Sequence, residues 1–172
     1  MFREQLEIQS PGCRTRSAED KGLGVFASRI FDAGETVILG SVLRPAVEND
    51  SHAVQVGPSL FAHEEGIGAL VNHSCDPNCV MRFKRHGLCD VVARRTIWHG
   101  HEITIDYALR NYVIEFFPYP CRCGTQACRG SITGWKDLPS NLRMMYRGYV
   151  APFILELEKD ESAALMGGRT YS

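Results

Sequence analysis

Three cysteines fall within eight residues in Cys121-Arg122-Cys123-Gly124-Thr125-Gln126-Ala127-Cys128. Thiolates at that spacing can wrap one metal ion, and Gly124 lets the loop between them turn tightly. A closed structural zinc site takes four ligands, so one more must come from elsewhere; Cys75, Cys79 and Cys89 are the candidates. The chain has seven cysteines, an odd number that argues against a fully paired disulfide framework. A second run, Asn72-His73-Ser74-Cys75-Asp76-Pro77-Asn78, sets an amide, an imidazole, a hydroxyl and a thiol in succession. Adjacent residues rarely face one another as nucleophile and base, and Pro77 stops a helix here. Alone, the run reads as a polar turn with one thiolate to offer a metal. In Gly100-His101-Glu102-Ile103-Thr104-Ile105-Asp106-Tyr107, a turn and a β-branched strand deliver a tyrosine hydroxyl, which by itself is more often packing than chemistry. Lys21-Gly22-Leu23-Gly24 allows a ligand to approach the backbone closely, but it lacks the third glycine of a dinucleotide fingerprint.

The elements that must position these residues are short. Gly22 to Ala27 reads as a turn entering a strand, and Thr36 to Leu39 as another strand after the turn Asp32–Glu35. Val42 to Val56 reads as two short strands joined by the polar run Glu48–Ser51, and Gly66 to Val71 as a short helix or turn. Cys79–Phe83 and Leu88–Ala93 form a hairpin closed by Lys84–Gly87, and Ile103–Ile105 is one more strand. Residues 1–20 are mixed and polar, with one apolar alternation of Phe2, Leu6 and Ile8. The tail changes character. Ser140 can cap a helix whose stripe is Leu142, Met145, Tyr146 and Tyr149, and Pro152 opens a second helix that Gly167-Gly168 ends. The four acidic residues Glu156, Glu158, Asp160 and Glu161 read as a solvated face.

With 172 residues, 44% hydrophobic and 23% charged, the chain is long enough to bury a core without disulfides. A net charge of −1 lacks the basic excess of a nucleic-acid coat, so no direct nucleic-acid partner is expected. No apolar run approaches the ~18 residues that span a bilayer. The expectation is a soluble, intracellular protein with no membrane partner, nuclear or cytoplasmic being left open.

Taken in order, the motifs resemble those of the SET-domain protein lysine methyltransferases with a post-SET zinc module. The likeness rests on Asn72–Asn78, Glu102–Tyr107 and Cys121-x-Cys123-x4-Cys128-Arg129-Gly130, and it runs from about Lys21 to Trp135. It implies a mainly β fold with short helices: a β-clip of small curved sheets with a pseudoknot, a C-terminal zinc module and a helical tail. The corresponding division is 1–115, 116–136 and 137–172. The resemblance further implies that S-adenosylmethionine is held by Lys21, Gly22, Leu23, Gly24, Asn72, His73 and Tyr107, with Ile132 or Trp135 packing on it. Tyr107 would be the catalytic tyrosine, and Ile105 and Tyr112 would line the substrate channel. Cys75 would complete a structural zinc site with Cys121, Cys123 and Cys128. The implied substrate is a lysine of a protein, such as a histone tail, or a small amine.

Three positions depart from the family pattern. Ile105 replaces an aromatic two residues before the tyrosine; without a hydroxyl to hold water there, di- or trimethylation is favoured. Thr36–Gly40 lacks the early-strand tyrosine, and Leu70-Val71 replaces an Arg-Phe pair before the Asn-His-Ser run. The competing reading is an inactive SET-like module that binds zinc and a partner. Against it, Asn72, His73 and Tyr107 are all present.

Overall fold

The computed structural model describes residues 10–40, 43–47, 52–84, 88–115, 117 and 119–167. The expected Phe2–Ile8 alternation, the Glu48–Ser51 loop, Arg85–Gly87 of the hairpin turn and Gly168 lie outside the described residues.

The described strands form three small sheets. The first has the order β1-β2-β10-β7, from Cys13–Ser17, Leu23–Ala27, Glu102–Ile105 and Asn72–His73. The second is β3-β9-β8, from Thr36–Ile38, Cys89–Ala93 and Cys79–Phe83. The third is β4-β6-β5, from Leu43–Pro45, Leu60–Glu64 and Ala53–Gly57. Their pairings are antiparallel except one: β10 runs parallel to β7, with Thr104 opposite Asn72 and Ile105 opposite His73. The hairpin β8–β9 pairs Cys79 with Ala93 and Phe83 with Cys89, as the sequence pattern suggests.

Alternation explains why these segments are strands. In β2 the core side takes Val25 and Ala27, and in β10 Ile103 and Ile105 lose all or nearly all exposure. Phe31, Met81, Val71, Ile97 and Leu109 fill the same core, each such side chain contributing about 1.5–3 kcal/mol of transfer free energy. Two strands carry no such pattern. In β1 only Cys13 is buried, and β6 alternates weakly, so neither was legible as a strand.

The tail packs on this core through Tyr146, Val150, Ala151 and Ile154. Helix α1 is Ser140–Tyr146 and α2 is Pro152–Gly167. The expected stripe on α1 is only partly realised: Tyr146 is buried, but Met145 and Tyr149 are 46% and 44% exposed. The helix ends at Tyr146, so the period that would place Tyr149 on its face stops short. Ser140 is the first helical residue rather than the cap, and Pro139 precedes it without a side-chain bond. Among the described residues no helix is long and apolar enough to cross a membrane.

Candidate functional site

The parallel pairing of β7 with β10 brings Asn72-His73 beside the strand that ends at Tyr107, although more than thirty residues separate them in the chain. Tyr107 opens a 3-10 turn that Asp106 caps, its carboxylate accepting from the Ala108 N–H at 3.2 Å. The Tyr107 N–H donates to His73 Nδ1 at 3.3 Å, and the phenol donates to the Val71 carbonyl at 3.1 Å. The imidazole lies edge-on to the Tyr107 ring, centroids 5.3 Å apart. Phe117 packs at 5.9 Å and the Arg110 guanidinium lies 5.4 Å from the ring centre. Burial pushes the Tyr107 phenol above its ordinary value, so it stays protonated at neutral pH.

His73 is buried, and both its ring nitrogens are engaged. Since Nδ1 accepts from Tyr107, the proton belongs on Nε2, which lies 3.4 Å from Cys75 Sγ. Burial, with the charges of Arg129 and Lys21, pushes its pKa down to about 3 and keeps the ring neutral. With its side chain 2% exposed and both ring nitrogens engaged, what His73 can still offer a ligand is its main chain.

The thiols of Cys75, Cys121, Cys123 and Cys128 all lie within 4.8 Å of one another. Those of Cys75 and Cys121 are 3.7 Å apart. Four sulfurs at about 2.3 Å from a tetrahedral zinc ion would be about 3.8 Å apart, so the donor set fits that ion. The backbone N–H groups of Arg129 and Gly130 donate to the Cys75 and Cys128 sulfurs at 3.3 and 3.4 Å. Burial opposes ionisation of Cys123, yet hydrogen bonds from Thr125 and its neighbours outweigh it and bring this thiol to about 6. Gly124 and Gly130 take φ values of +70° and +77°, which glycine alone adopts freely. Cys79 and Cys89, the other candidates for the fourth ligand, lie in the β8–β9 hairpin outside this cluster. Burial raises the Cys89 thiol to about 12.

Arg129 joins the two constellations. Its guanidinium grips Asp106 through two hydrogen bonds of 2.7 and 3.0 Å, and Asp106 is fully buried. Asp106 thus caps the turn of Tyr107, lies 3.7 Å from His73 Nδ1 and anchors the residue after Cys128.

On the other side of β7, Asn72 donates to the Leu23 carbonyl at 3.1 Å and to Glu102 Oε1 at 2.9 Å. Lys21 forms an ion pair with Glu102. A Cβ on Gly24 would lie 2.8 Å from both Asn72 Nδ2 and Glu102 Oε1, so here the glycine makes room for side chains. Gly22, at φ +81°, needs glycine for its backbone and faces open space.

The remaining expected positions are spread more widely. Ile105 is 1% exposed and lies inside the core. Tyr112 is half-buried; its phenol donates to Glu161 of α2, and burial and that carboxylate push its pKa up to about 12. Trp135 is wholly buried in the core, whereas Ile132 keeps free surface, so only Ile132 of this pair has a face to offer a ligand. Glu158 and Glu161 are not a merely solvated face: Glu158 pairs with Arg143 and Arg147, and Glu161 with Lys136. Sequence reasoning assigned no part to Glu102, Asp106, Arg110, Phe117 or Arg129. Glu102, Asp106 and Arg129 stand inside the quoted motifs, and that was their one signal.

Small sheets with one parallel strand pair, a strand-end tyrosine and a four-thiol centre define the class of protein. The SET domain family model matches residues 22–108. A histone-lysine N-methyltransferase, H3 lysine-4 specific, of Schizosaccharomyces pombe is 34% identical over 128 residues, covering 63% of this chain and 14% of that protein. The histone-lysine N-methyltransferase ash1 of Drosophila melanogaster is 34% identical over 153 residues, covering 76% of this chain and 7% of that protein. Human histone-lysine N-methyltransferase 2B is 31% identical over 131 residues, covering 63% and 5%. The chain therefore belongs to the SET-domain family, and it spans only a small part of the length of these relatives.

Proposed function

We propose that this chain is an S-adenosylmethionine-dependent N-methyltransferase acting on the side-chain amine of a protein lysine, a histone tail being the first substrate to try. The observation that carries the reading is the parallel β7–β10 pairing, which sets Asn72 and His73 beside Tyr107 in a SET domain. The three relatives described above, each a histone-lysine N-methyltransferase, support it. Bound, the cofactor supplies an electrophilic methyl group on a sulfonium centre.

The chain's own residues would bind and orient. Asn72 and the main chain around Gly22–Gly24 and His73 hold the cofactor, and Ile132 covers it. Tyr107 is the catalytic tyrosine: its phenol stays protonated, and its oxygen keeps lone pairs to orient an incoming amine. A free lysine has a pKa near ~10.4 and must lose its proton before attack; an apolar channel beside Ile105 and Tyr112 favours the neutral form. With no strong base at the motif positions, alignment contributes most of the rate. The four cysteines hold a structural zinc ion and keep residues 116–136 against the domain of 1–115, with 137–172 as a packed extension.

The test is calorimetric titration of zinc-replete protein with S-adenosylmethionine, followed by mass spectrometry of a histone-peptide pool, beside Tyr107→Phe. The wild type should bind and methylate. The variant should bind comparably and transfer on the order of 10²-fold more slowly, because it loses the oxygen that aligns the amine. A folded, zinc-loaded wild type that neither binds the cofactor nor methylates any peptide would overturn the reading.

A further inference from the structure

Glu64 ends β6 in the third sheet, and Arg110 closes the turn that begins at Tyr107. Their side chains are 8% and 10% exposed, and the Arg110 guanidinium donates to Glu64 Oε2 at 2.9 Å. A buried ion pair is a poor source of net stability, because desolvation offsets most of the attraction; what it does fix is geometry. Both partners abut the groups that hold Tyr107. The Glu64 carboxylate fills the space beside Gly68, where a Cβ would lie 2.2 Å from Oε1. Gly68 stands in the 3-10 turn Ile67–Leu70, and its carbonyl accepts from the Val71 N–H at 3.2 Å. The Val71 carbonyl in turn accepts from the Tyr107 phenol. From the other side, the Arg110 guanidinium lies over the Tyr107 ring, 5.4 Å from its centre and within reach of a cation–π attraction. Glu64, Gly68, Val71, the phenol and Arg110 thus close one circuit of contacts around the ring.

We infer that Glu64 and Arg110 are positioning residues whose ion pair clamps the Tyr107 ring between the Val71 turn and the third sheet, and so sets where the phenol oxygen meets the incoming amine. Neither residue touches the reacting atoms. The inference rests on the methyltransferase reading and concerns the transfer step, not the binding of the cofactor.

Gly68→Ala keeps both charges but drives the Glu64 carboxylate aside, and the Gly68 backbone lies outside the left-handed region, so the turn accepts alanine. Zinc-replete protein is assayed with the histone peptide that the wild type methylates best. Gly68→Ala should lower kcat about tenfold, while S-adenosylmethionine affinity by calorimetry stays within about twofold. Arg110→Lys keeps the charge but not the planar fork, and its kcat should fall between the two. Glu64→Leu combined with Arg110→Met removes both charges, so the fold should survive while kcat stays about tenfold down. Gly68→Ala carries the test if that double variant fails to fold. A double variant with wild-type stability and wild-type kcat would show that the pair only fills space, and would overturn the inference. So would a Gly68→Ala variant that keeps full kcat, or one that loses cofactor affinity in proportion to kcat. Each of these results leaves the methyltransferase reading standing. A folded, zinc-loaded wild type that neither binds the cofactor nor methylates any peptide would overturn both.

Discussion

Asn72 and Glu102 sit on strands; Cys121, Cys123 and Cys128 sit on none. At the first corner, three adjacent strands of one sheet, β2, β10 and β7, fix the backbone before any side chain acts. At the second, among the described residues, neither helix nor strand occurs between the turn ending at Leu109 and the one beginning at Trp135. That stretch is tied by isolated bonds, such as Cys121 N–H to Gly130 O at 3.0 Å and Cys128 N–H to Thr125 O at 3.1 Å, and by its sulfurs. Under the proposed function, a cofactor corner built on a ladder would be preformed, whereas a corner built on four thiols would be complete only when a metal gathers them, its folding and its metal binding being one event.

The harshest way to break this comparison is to remove the metal. Chelation, or Cys123→Ser, should strip about one zinc per chain and expose the amides of residues 119–134 to rapid hydrogen exchange, while β2, β8, β9 and β10 keep their protection. Cofactor affinity should fall on the order of 10²-fold or more, because residues 116–136 would no longer cover the site. Protection lost from the sheets at the same metal concentration would mean that the two corners fold as one unit.

The joint between them is narrower. Asp106 has no exposed surface and Arg129 little, so removing one partner leaves an uncompensated buried charge. Asp106→Asn should lower the unfolding free energy in urea by about 3–5 kcal/mol, and it should slow methyl transfer because the Tyr107 turn loses its clamp. Asp106→Leu combined with Arg129→Met should regain much of that stability without regaining activity. A single-variant cost below about 1 kcal/mol would show that the corners are joined elsewhere.

The contrast also explains what the sequence disclosed. Strands such as β2, β8, β9 and β10 are β-branched or apolar runs that bury most of their residues, bounded by turn signals, and were legible from that composition. Strand β7 has two residues, too few for any period, and its partner lies more than thirty positions on. Its place beside Tyr107 came only through likeness to a family, since periodicity is a local signal. Cysteine spacing marked the candidate metal centre, but choosing Cys75 over Cys79 or Cys89 came only through the family likeness, and the fold gathers that thiol with the other three. Glu102 and Arg129 read as ordinary charged residues because their partners, Asn72, Lys21 and Asp106, are distant in the chain. Trp135 and Ile132 differ in burial alone, and burial is set by packing that no single segment contains.

The smallest expected effect lies at the border of the two corners, where α2 is tied down by side chains alone. Glu161 accepts from the Tyr112 phenol and pairs with Lys136, which follows the thiol loop. The hydrogen bond from Lys136, then that from Tyr112, holds the Glu161 carboxyl below its ordinary value. A group whose pKa is lower in the folded state stabilises above its unfolded value, near ~4.5, and that contribution fades as the pH falls through the folded value. The tether should therefore be intact at neutral pH and released in acid. Amides of α2 near Glu161 should gain exchange as the pH drops below about 4.5, after correction for the intrinsic pH dependence of exchange. Glu161→Gln should remove that acid-dependent step and leave the amides of β7 and β10 unchanged at every pH. A matching step in β7 and β10 of the wild type, absent from the variant, would mean that the tail tether reaches the cofactor corner, and the two corners could no longer be treated as separately held.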